Sequence, residues 1–257
     1  MTELAATRAL ITGATSGLGL AMARALAGAG AAVAVTSRDR DRARKTAATL
    51  GDRAIAVALD VRDEASVQAG LAQARERLGG LDLLVNNAGI GMRTVNPRFL
   101  TESQPFWEVS PDGFRDVLET KAAGCFLVAR AVAPLMLAEG GGRIVNISMN
   151  EQTMVRRGFV PYGPAGAAVD ALSRVMAADL AGTPVTVNLL LPGGATDTGM
   201  IPPDTPAETR ERLLDPAMMG PPIVWLASAQ ATGVHDERIV ATEFEPWLAA
   251  RRAQSAG

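Results

Sequence analysis

The sequence has few of the residues that build disulfides or metal sites. Its 257 residues include one cysteine and one histidine. The lone Cys125 excludes an internal disulfide and is typical of a reducing compartment, so we expect a cytoplasmic protein. The lone His235 leaves little for a zinc site or a histidine-based triad, and we predict no bound metal.

Long apolar runs and blocks of basic residues are also missing. The N-terminal segment lacks the order of basic, apolar and small residues that marks a signal peptide, and we expect no run long enough to span a bilayer. Lys and Arg number 25 against 27 Asp and Glu, for a net charge of −2. Neither nucleic acid nor a membrane is therefore a predicted partner, and a small-molecule substrate is favoured.

Short β-rich runs alternate with longer amphipathic runs, which is typical of βα units around a parallel sheet. We predict one α/β domain over residues 1–257, a Rossmann-type doubly wound parallel sheet with helices on both faces. Its nucleotide-binding half spans about 1–150 and its substrate and catalytic half about 151–257. The predicted strands are Arg8–Thr12, Ala32–Thr36, Ala54–Leu59, Leu81–Val85, Gly142–Ser148, Val185–Leu191 and Arg238–Ala241. The predicted helices are Gly17–Ala29, Asp39–Leu50, Asp63–Leu78, Pro111–Glu139 and Tyr162–Ala181.

Two stretches interrupt this alternation, Gly89–Val109 and Gly193–Pro222. Each follows a predicted strand. Loops beyond the carboxyl ends of parallel strands build the ligand crevice of an open sheet, so we expect substrate recognition there. The alternative is that they are surface loops or contacts between subunits.

A glycine-rich turn joins the first predicted strand to the first helix. Its glycines leave out Cβ atoms where backbone amides must approach a pyrophosphate at the helix N-terminus. The predicted diphosphate-binding residues are Gly13, Thr15, Ser16, Gly17, Leu18 and Gly19.

The second predicted strand leads into Ser37-Arg38. An NAD site usually places a carboxylate there, whereas the guanidinium of Arg38 suits a 2′-phosphate. NADP(H) is therefore the predicted coenzyme, with Ser37 as a further donor. The alternative is that Arg38 only faces solvent.

The order and spacing of the motifs resemble the short-chain dehydrogenase/reductase family over nearly the whole chain. The matching segments are Thr12–Gly19, Asp60-Val61, Asn86–Gly89, Arg143–Ser148, Tyr162 and Pro192-Gly193. The resemblance implies further cofactor contacts: Asp60 and Val61 at the adenine, Asn87, Ala88 and Gly89 at the ribose, Pro192 and Gly193 beside the nicotinamide, and Thr196 or Thr198 at its carboxamide. It also implies a homodimer or homotetramer.

The catalytic residues implied by this resemblance are mostly missing. Members of the family ordinarily carry Asn, Ser, Tyr and Lys, and these positions fall on Lys121, Met149, Tyr162 and Gly166. Only the tyrosine is retained. Losing the ammonium and the donor to the carbonyl removes two effects, each worth about 10²-fold or more in rate.

Two residues are candidates to compensate for these losses. Gly166 vacates space on the helix that carries Tyr162, and the side chain of Lys121 is long enough to reach toward it; the alternative is a solvated Lys121. Met149 cannot donate a hydrogen bond. Asn150 is the better substitute, because Ser148 on an extended strand should point to the opposite face.

The leading functional hypothesis is an NADP-dependent oxidoreductase that acts on a ketone or a secondary alcohol. Tyr162 would be the general acid/base, assisted by Lys121 or Asn150. Two alternatives keep the fold but not the reaction: a lyase, isomerase or cyclase that uses the same crevice, and a catalytically silent NADP-binding protein.

Overall fold

The computed structural model describes residues 4–255 and confirms the predicted doubly wound α/β fold. Seven parallel strands form one sheet in the order β3-β2-β1-β4-β5-β6-β7, which reverses direction between β1 and β4. The strands are β1 Arg8–Ile11, β2 Ala32–Ser37, β3 Ala54–Ala58, β4 Leu83–Asn86, β5 Gly142–Ile147, β6 Val185–Leu191 and β7 Arg238–Val240. Each lies within two residues of its predicted bounds. The ends of the predicted domain, residues 1–3 and 256–257, lie outside the described residues.

Ten α-helices connect and cover these strands in the described part of the chain. They are α1 Gly17–Gly28, α2 Arg40–Ala48, α3 Glu64–Leu78, α4 Pro111–Leu118, α5 Gly124–Ala138, α6 Glu151–Met154, α7 Tyr162–Asp179, α8 Ala207–Arg210, α9 Gly220–Ala227 and α10 Phe244–Ser255. Short 3-10 turns lie at Met92–Thr94, Phe106–Glu108, Pro216–Met219, Ala229–Ala231 and Ala241–Glu243.

Polar side chains cap several of the predicted helices at their first turn. Asp63 accepts hydrogen bonds from the amides of Ala65 and Ser66, and Ser110 accepts one from Gly113. These bonds satisfy amides that have no partner within the helix.

The sequence did not predict the helices that follow Gly193. The stretch Gly193–Pro222 contains α8, a 3-10 turn and the start of α9, and α10 was missed altogether. The Gly-Pro-Pro start of α9 resembles a loop in composition. Proline is nevertheless compatible with the first turn of a helix, where its missing amide costs no hydrogen bond.

The long predicted helix Pro111–Glu139 is interrupted. A π-helical turn at Glu119–Ala123 separates α4 from α5. Such a turn inserts an extra residue and shifts which side chains face inward. Here it buries Thr120 and Lys121.

The expectation that no apolar segment is long enough to span a bilayer is wrong. Residues Pro111–Ala138 form a 28-residue helical stretch, and its most apolar 18 residues have a mean hydropathy of 1.5. Helices that pack on the sheet of a globular domain meet the same criterion, and α5 packs against α3 and the central strands. The stretch is therefore weak evidence for membrane insertion.

Two apolar cores lie on opposite faces of the sheet. Ala9 and Ile11 of β1 belong to the core beneath α1, α9 and α10, whereas Leu10 between them belongs to the core beneath α3, α5 and α7. This alternation follows from the two-residue period of a strand. Both faces are covered, as a parallel sheet requires.

A chain of buried polar side chains ties α7 to the sheet. Asn86 of β4 donates to the Oδ1 of Asn146 on β5 at 2.9 Å, and Asn146 donates to the Oγ of Ser173 on α7 at 2.8 Å. Ser173 in turn donates to the carbonyl of Val169 at 2.7 Å. Because buried polar groups are costly without partners, this chain fixes where α7 lies on the sheet.

Replacing Asn146 with Ala should therefore destabilise the fold. The change removes the buried hydrogen bonds that Asn146 makes to Asn86 and Ser173, and we expect a loss of about 2–4 kcal/mol in the free energy of unfolding. Urea denaturation followed by circular dichroism measures it. Gln68→Ala, at an exposed position of α3, is the control. A loss below about 1 kcal/mol for Asn146→Ala would show that the chain is not structurally important.

Candidate active site

The candidate site lies where the order of the strands reverses, beyond the carboxyl ends of β1 and β4. The hydroxyl of Thr12 accepts hydrogen bonds from the amides of Asn87 and Ala88, both at 2.9 Å. The amide of the Asn87 side chain donates to the carbonyls of Thr12 and Gly13 at 2.9 and 3.1 Å. These bonds hold the turn after β4 against the glycine turn after β1, and open α/β sheets bind ligands at this position.

The glycine turn cannot accommodate side chains at its three glycines. Gly13 and Gly17 have φ values of 64° and 53°, in the left-handed region. A Cβ on Gly13 would lie 3.0 Å from the Cα of Ala88, and one on Gly19 would collide with the carbonyl of Gly13 and the side chain of Asn87. The turn thus packs closely against the chain after β4 while its outer side stays open.

The first turn of α1 presents free backbone amides to this crevice. Ser16 precedes the helix in an extended conformation, and its side chain makes no capping hydrogen bond. Unpaired amides at a helix N-terminus, together with the helix dipole, bind phosphate groups. Thr15, Ser16, Gly17 and Leu18, the residues predicted to bind a diphosphate, form the end of this turn and the start of α1.

Charged side chains gather at the ends of β2 and β3. Arg38 is exposed there. Arg62 forms an ion pair with Asp60 at 2.8 Å. Its hydrogen bond holds the pKa of Asp60 below the usual range against the effect of burial, and the positive charge of Arg38 acts in the same direction. Arg38 thus lies near Asp60 with its guanidinium facing solvent, while the hydroxyl of Ser37 accepts from the amide of Asp39.

The turn after β6 carries the residues predicted at the nicotinamide end. Pro192 is buried, and Gly193 adopts a φ of 100°. The side chain of Asn150 donates to the carbonyl of Gly193 at 2.8 Å. One of its two N–H groups therefore holds this turn in place. The sequence interpretation, in which Asn150 is a donor to the substrate, did not include this bond.

The two candidate threonines after this turn lie in different places. Thr196 is buried and pairs with Leu214 in an isolated bridge. Thr198 lies beside the glycine turn, since a Cβ on Gly17 would be 3.2 Å from its side chain.

Two other predicted cofactor residues lie near the π turn. Val61 packs against Gly124, and Gly89 lies next to the side chain of Lys121.

Tyr162 begins α7 and points its hydroxyl at a thioether. The Sδ of Met200 lies 3.8 Å from the phenol oxygen. Met200 also fills the space beside Gly91, where a Cβ would lie 3.0 Å from its Sδ. Burial raises the pKa of Tyr162, because the phenolate loses solvation in these surroundings.

The side chain of Met149 fills the space that a side chain at position 166 would need. A Cβ on Gly166 would lie 2.6 Å from the Cε and 2.8 Å from the Sδ of Met149. The space that Gly166 vacates is therefore filled by the buried thioether of Met149. The three atoms nearest to a Cβ on Gly166 belong to Met149 and not to Lys121.

Lys121 nevertheless lies beside Tyr162. It is only 8% exposed, so it is not the solvated helix residue of the alternative interpretation. Its Nζ lies 5.6 Å from the centroid of the Tyr162 ring and 3.4 Å from the carbonyl oxygen of Ile147. Burial lowers the pKa of this amine. The π turn supplies this placement, since it directs Lys121 toward the sheet.

A second ion pair lies next to Met149, and it was not predicted from the sequence. Arg238 of β7 pairs with Asp170 of α7 at 3.0 Å and donates to the carbonyl of Met149 at 2.7 Å. Asp170 also accepts from the hydroxyl of Ser148. Residues 162, 166 and 170 share one helix face by their spacing, which is the signal that identifies Asp170. Arg238 has no such signal.

The two irregular stretches face a cleft of about 820 Å³ beside the glycine turn. Arg93, Gly199 and Ile201 line it together with Gly17 and Thr198. The aromatic residues of the first stretch do not line this cleft: Phe106 and Trp107 are 68% and 72% exposed, and Phe99 packs edge-on against the buried Phe159, which precedes α7. The cleft joins the predicted cofactor site to the second stretch.

Comparison with known proteins agrees with this geometry. The chain matches the short chain dehydrogenase family over residues 7–209. It is 32% identical to the 3-oxoacyl-(acyl-carrier-protein) reductase FabG of Vibrio harveyi, over 90% of this chain and 93% of that protein. A Brucella melitensis 3-ketoacyl-(acyl-carrier-protein) reductase complexed with NADH superposes with a TM-score of 0.80 at 30% identity, covering 91% of this chain and 96% of the other. A gluconate 5-dehydrogenase from Burkholderia cenocepacia, in complex with NADP and tartrate, superposes with a TM-score of 0.83 at 30% identity, covering 95% and 97%.

The packing of Met149 on Gly166 predicts that changes at the two positions are not additive. Gly166→Ala adds a methyl group that would collide with Met149 unless that side chain moves. The cost of this movement offsets the gain in stability of about 1 kcal/mol from replacing glycine within a helix. In a Met149→Ala background the same change should be more favourable by about 1–2 kcal/mol. Urea denaturation of the two single variants and the double variant measures this coupling. Additive effects would mean that the two side chains do not compete for space.

Proposed function

This chain belongs to the short-chain dehydrogenase family, and from that premise we propose that it is an NADP-dependent oxidoreductase that interconverts a ketone and a secondary alcohol. Its relatives include 3-oxoacyl-(acyl-carrier-protein) reductases and a gluconate 5-dehydrogenase, and they support the oxidoreductase class. The observation that carries the proposal is the buried amine of Lys121, 5.6 Å from the Tyr162 ring. It places a primary amine near the only phenol in the sequence.

The preference for NADP rests on Arg38. A guanidinium that is exposed at the end of β2 is suited to a phosphate on the adenosine ribose, because it is always charged and donates in a fixed fork. Solved relatives are complexed with NADH or with NADP. The uncapped amides of α1 and the glycine turn would hold the diphosphate. A bound nicotinamide coenzyme supplies or accepts the hydride.

Tyr162 acts as the proton donor in reduction and as the proton acceptor in oxidation. Its raised pKa keeps the phenol protonated and ready to donate to a carbonyl oxygen. The protonated form of the Lys121 amine favours the phenolate that forms when the proton leaves Tyr162. This is the role that the missing lysine at Gly166 would otherwise have.

Asn150 positions the turn at Gly193 and keeps one N–H group for the substrate. The hydrogen bond to the carbonyl of Gly193 orients the amide at the end of β5. Met149 offers only a thioether at the adjacent position. Asn150 is therefore the proposed donor to the substrate oxygen, and it also holds the predicted nicotinamide end of the crevice in shape.

Assembly and location are part of the same proposal. Phe126 on α5 and Val175 on α7 are 45% and 57% exposed, which favours a symmetric homodimer or homotetramer built on these helices. The lone buried Cys125 favours a cytoplasmic location.

The proposed division of the domain lies near residue 150. It separates the predicted nucleotide-binding half from the half that carries Tyr162.

A non-redox reaction is the second candidate. It is favoured by Met149, whose packing on Gly166 removes the hydroxyl and the amine positions of the usual catalytic set together. Such a lyase, isomerase or cyclase would form product without any change in nicotinamide absorbance. A silent NADP-binding protein would bind the coenzyme and convert no carbonyl compound.

Tyr162 and Lys121 should both be needed for turnover of NADPH with a carbonyl substrate. We expect Tyr162→Phe to lower kcat by about 10³-fold or more, and Lys121→Met by about 10²-fold, because each removes one part of the proton transfer. Absorbance of the nicotinamide at steady state measures both effects.

The control for Lys121→Met is Lys45→Met, which removes the exposed lysine of α2 and should leave kcat unchanged. If Lys121→Met retains the full rate, Lys121 does not assist Tyr162. If no carbonyl compound in a broad panel oxidises NADPH, the redox proposal fails as a whole.

Arg38→Ala should change the coenzyme preference. Loss of charged hydrogen bonds to the 2′-phosphate should weaken NADPH binding by about 10–100-fold and leave NADH binding within about twofold. Titration calorimetry with both coenzymes measures the ratio. Arg44→Ala, one turn into α2, is the matched control. Equal losses for NADH and NADPH would contradict the assignment of Arg38.

A further inference from the structure

Lysine is rare in this chain, and one of its lysines is buried in the crevice. Of the 25 Lys and Arg residues, only Lys45 and Lys121 are lysines. Lys45 is exposed on α2, whereas Lys121 is only 8% exposed. Arginine stays charged in every environment, but a lysine loses its proton readily when it is buried. Lys121 is therefore chemically different from the other positive side chains.

No acidic side chain among residues 4–255 lies within ion-pair distance of the Lys121 amine. Its hydrogen bond is to the carbonyl of Ile147 at 3.4 Å. The neighbouring thiol of Cys125 is neutral, since burial raises its pKa to about 12. The carboxylate of Asp170 is already paired with Arg238 and bonded to Ser148. Burial thus favours the neutral amine, and little nearby restores the charge.

Two thioethers lie near Tyr162, whose ring is 5.6 Å from this amine. The side chains of Met149 and Met200 border Gly166 and the Tyr162 hydroxyl, respectively. Thioethers accept hydrogen bonds weakly and exclude water from the site. A carbonyl group that reaches the phenol of Tyr162 would meet no side-chain hydroxyl at Met149 and would lie near a flexible primary amine.

We propose that Lys121 is a nucleophile that forms an imine with an aldehyde or ketone bound beside Tyr162, an activity that does not require the coenzyme. Desolvated lysines in apolar pockets have this reactivity because the unprotonated nitrogen carries the attacking lone pair. The substrate class is an apolar carbonyl compound. This inference uses the same crevice as the proposed function but does not depend on hydride transfer.

The chemistry is balanced without an oxidant or reductant. The lone pair of the Lys121 nitrogen forms a bond to the carbonyl carbon, and the π electrons of the C=O bond move to oxygen, which takes a proton from Tyr162. The nitrogen then loses a proton to the phenolate, giving a neutral carbinolamine. Tyr162 then protonates the hydroxyl, which leaves as water, and the second proton of the nitrogen passes to the Tyr162 phenolate, giving the imine and restoring the phenol. The net change is one amine and one carbonyl converted to one imine and one water.

Trapping with a reductant tests the proposal in the unmodified protein. Butanal and sodium cyanoborohydride are added to the full chain without nucleotide, and the labelled positions are found by peptide mass spectrometry. We expect Lys121 to be alkylated at least about tenfold faster than the exposed Lys45 in the same molecules. Equal or slower labelling of Lys121 would overturn the proposal without any need for a variant.

Two variants sharpen this result. Lys121→Arg keeps the positive charge and should lose the fast label, with labelling of Lys45 unchanged. Tyr162→Phe should slow labelling of Lys121 by about tenfold, because the proton donor is lost. A fast label that persists in Lys121→Arg would overturn the assignment.

Hydride transfer is followed separately by nicotinamide absorbance, so the two proposals fail independently. Fast labelling of Lys121 with no NADPH turnover would support the imine and contradict the redox function. Turnover of NADPH without selective labelling would do the reverse.

Discussion

The contact between Met149 and Gly166 is the constraint on which the rest of the candidate site depends. A thioether cannot pack against the Cα of residue 166 if that residue carries a side chain, and the glycine would leave a cavity if residue 149 were small. The two departures from the usual catalytic set are thus one structural unit. Met149 fills this space, and the amine of Lys121 lies 5.6 Å from the centroid of the Tyr162 ring.

Two independent frames position the crevice. The bonds of Thr12 and Asn87 fix the glycine turn against the turn after β4, and they involve none of the altered residues. The chain from Asn86 through Asn146 to Ser173 fixes α7 on the sheet. The glycine turn and α7 are therefore held in place by separate hydrogen bonds. A fold of this class does not by itself determine the reaction.

Prediction from sequence succeeded where a local pattern has one physical meaning. The strands followed from their short β-rich runs between turns, and the glycine turn followed from glycines that only a close backbone approach requires. It failed for local conformations whose sequence resembles another element, and for contacts between distant parts of the chain. The π turn at Glu119–Ala123 has no pattern that distinguishes it from an ordinary helix, and α9 begins with prolines that resemble a loop. Arg238 reaches Asp170 and Met149 only because β7 lies at the end of the sheet.

The sequence by itself determined the doubly wound sheet, the glycine turn and which residue types stand at positions 121, 149 and 166, because each depends on residue type and spacing along the chain. Tertiary structure alone decided how these residues pack together. Whether Lys121 faces solvent or Tyr162 depends on an extra residue in one helical turn. Whether the space at Gly166 is empty depends on Met149, which follows β5. Both are questions of packing between segments, and volume filled by a distant side chain leaves no periodic signal in the sequence.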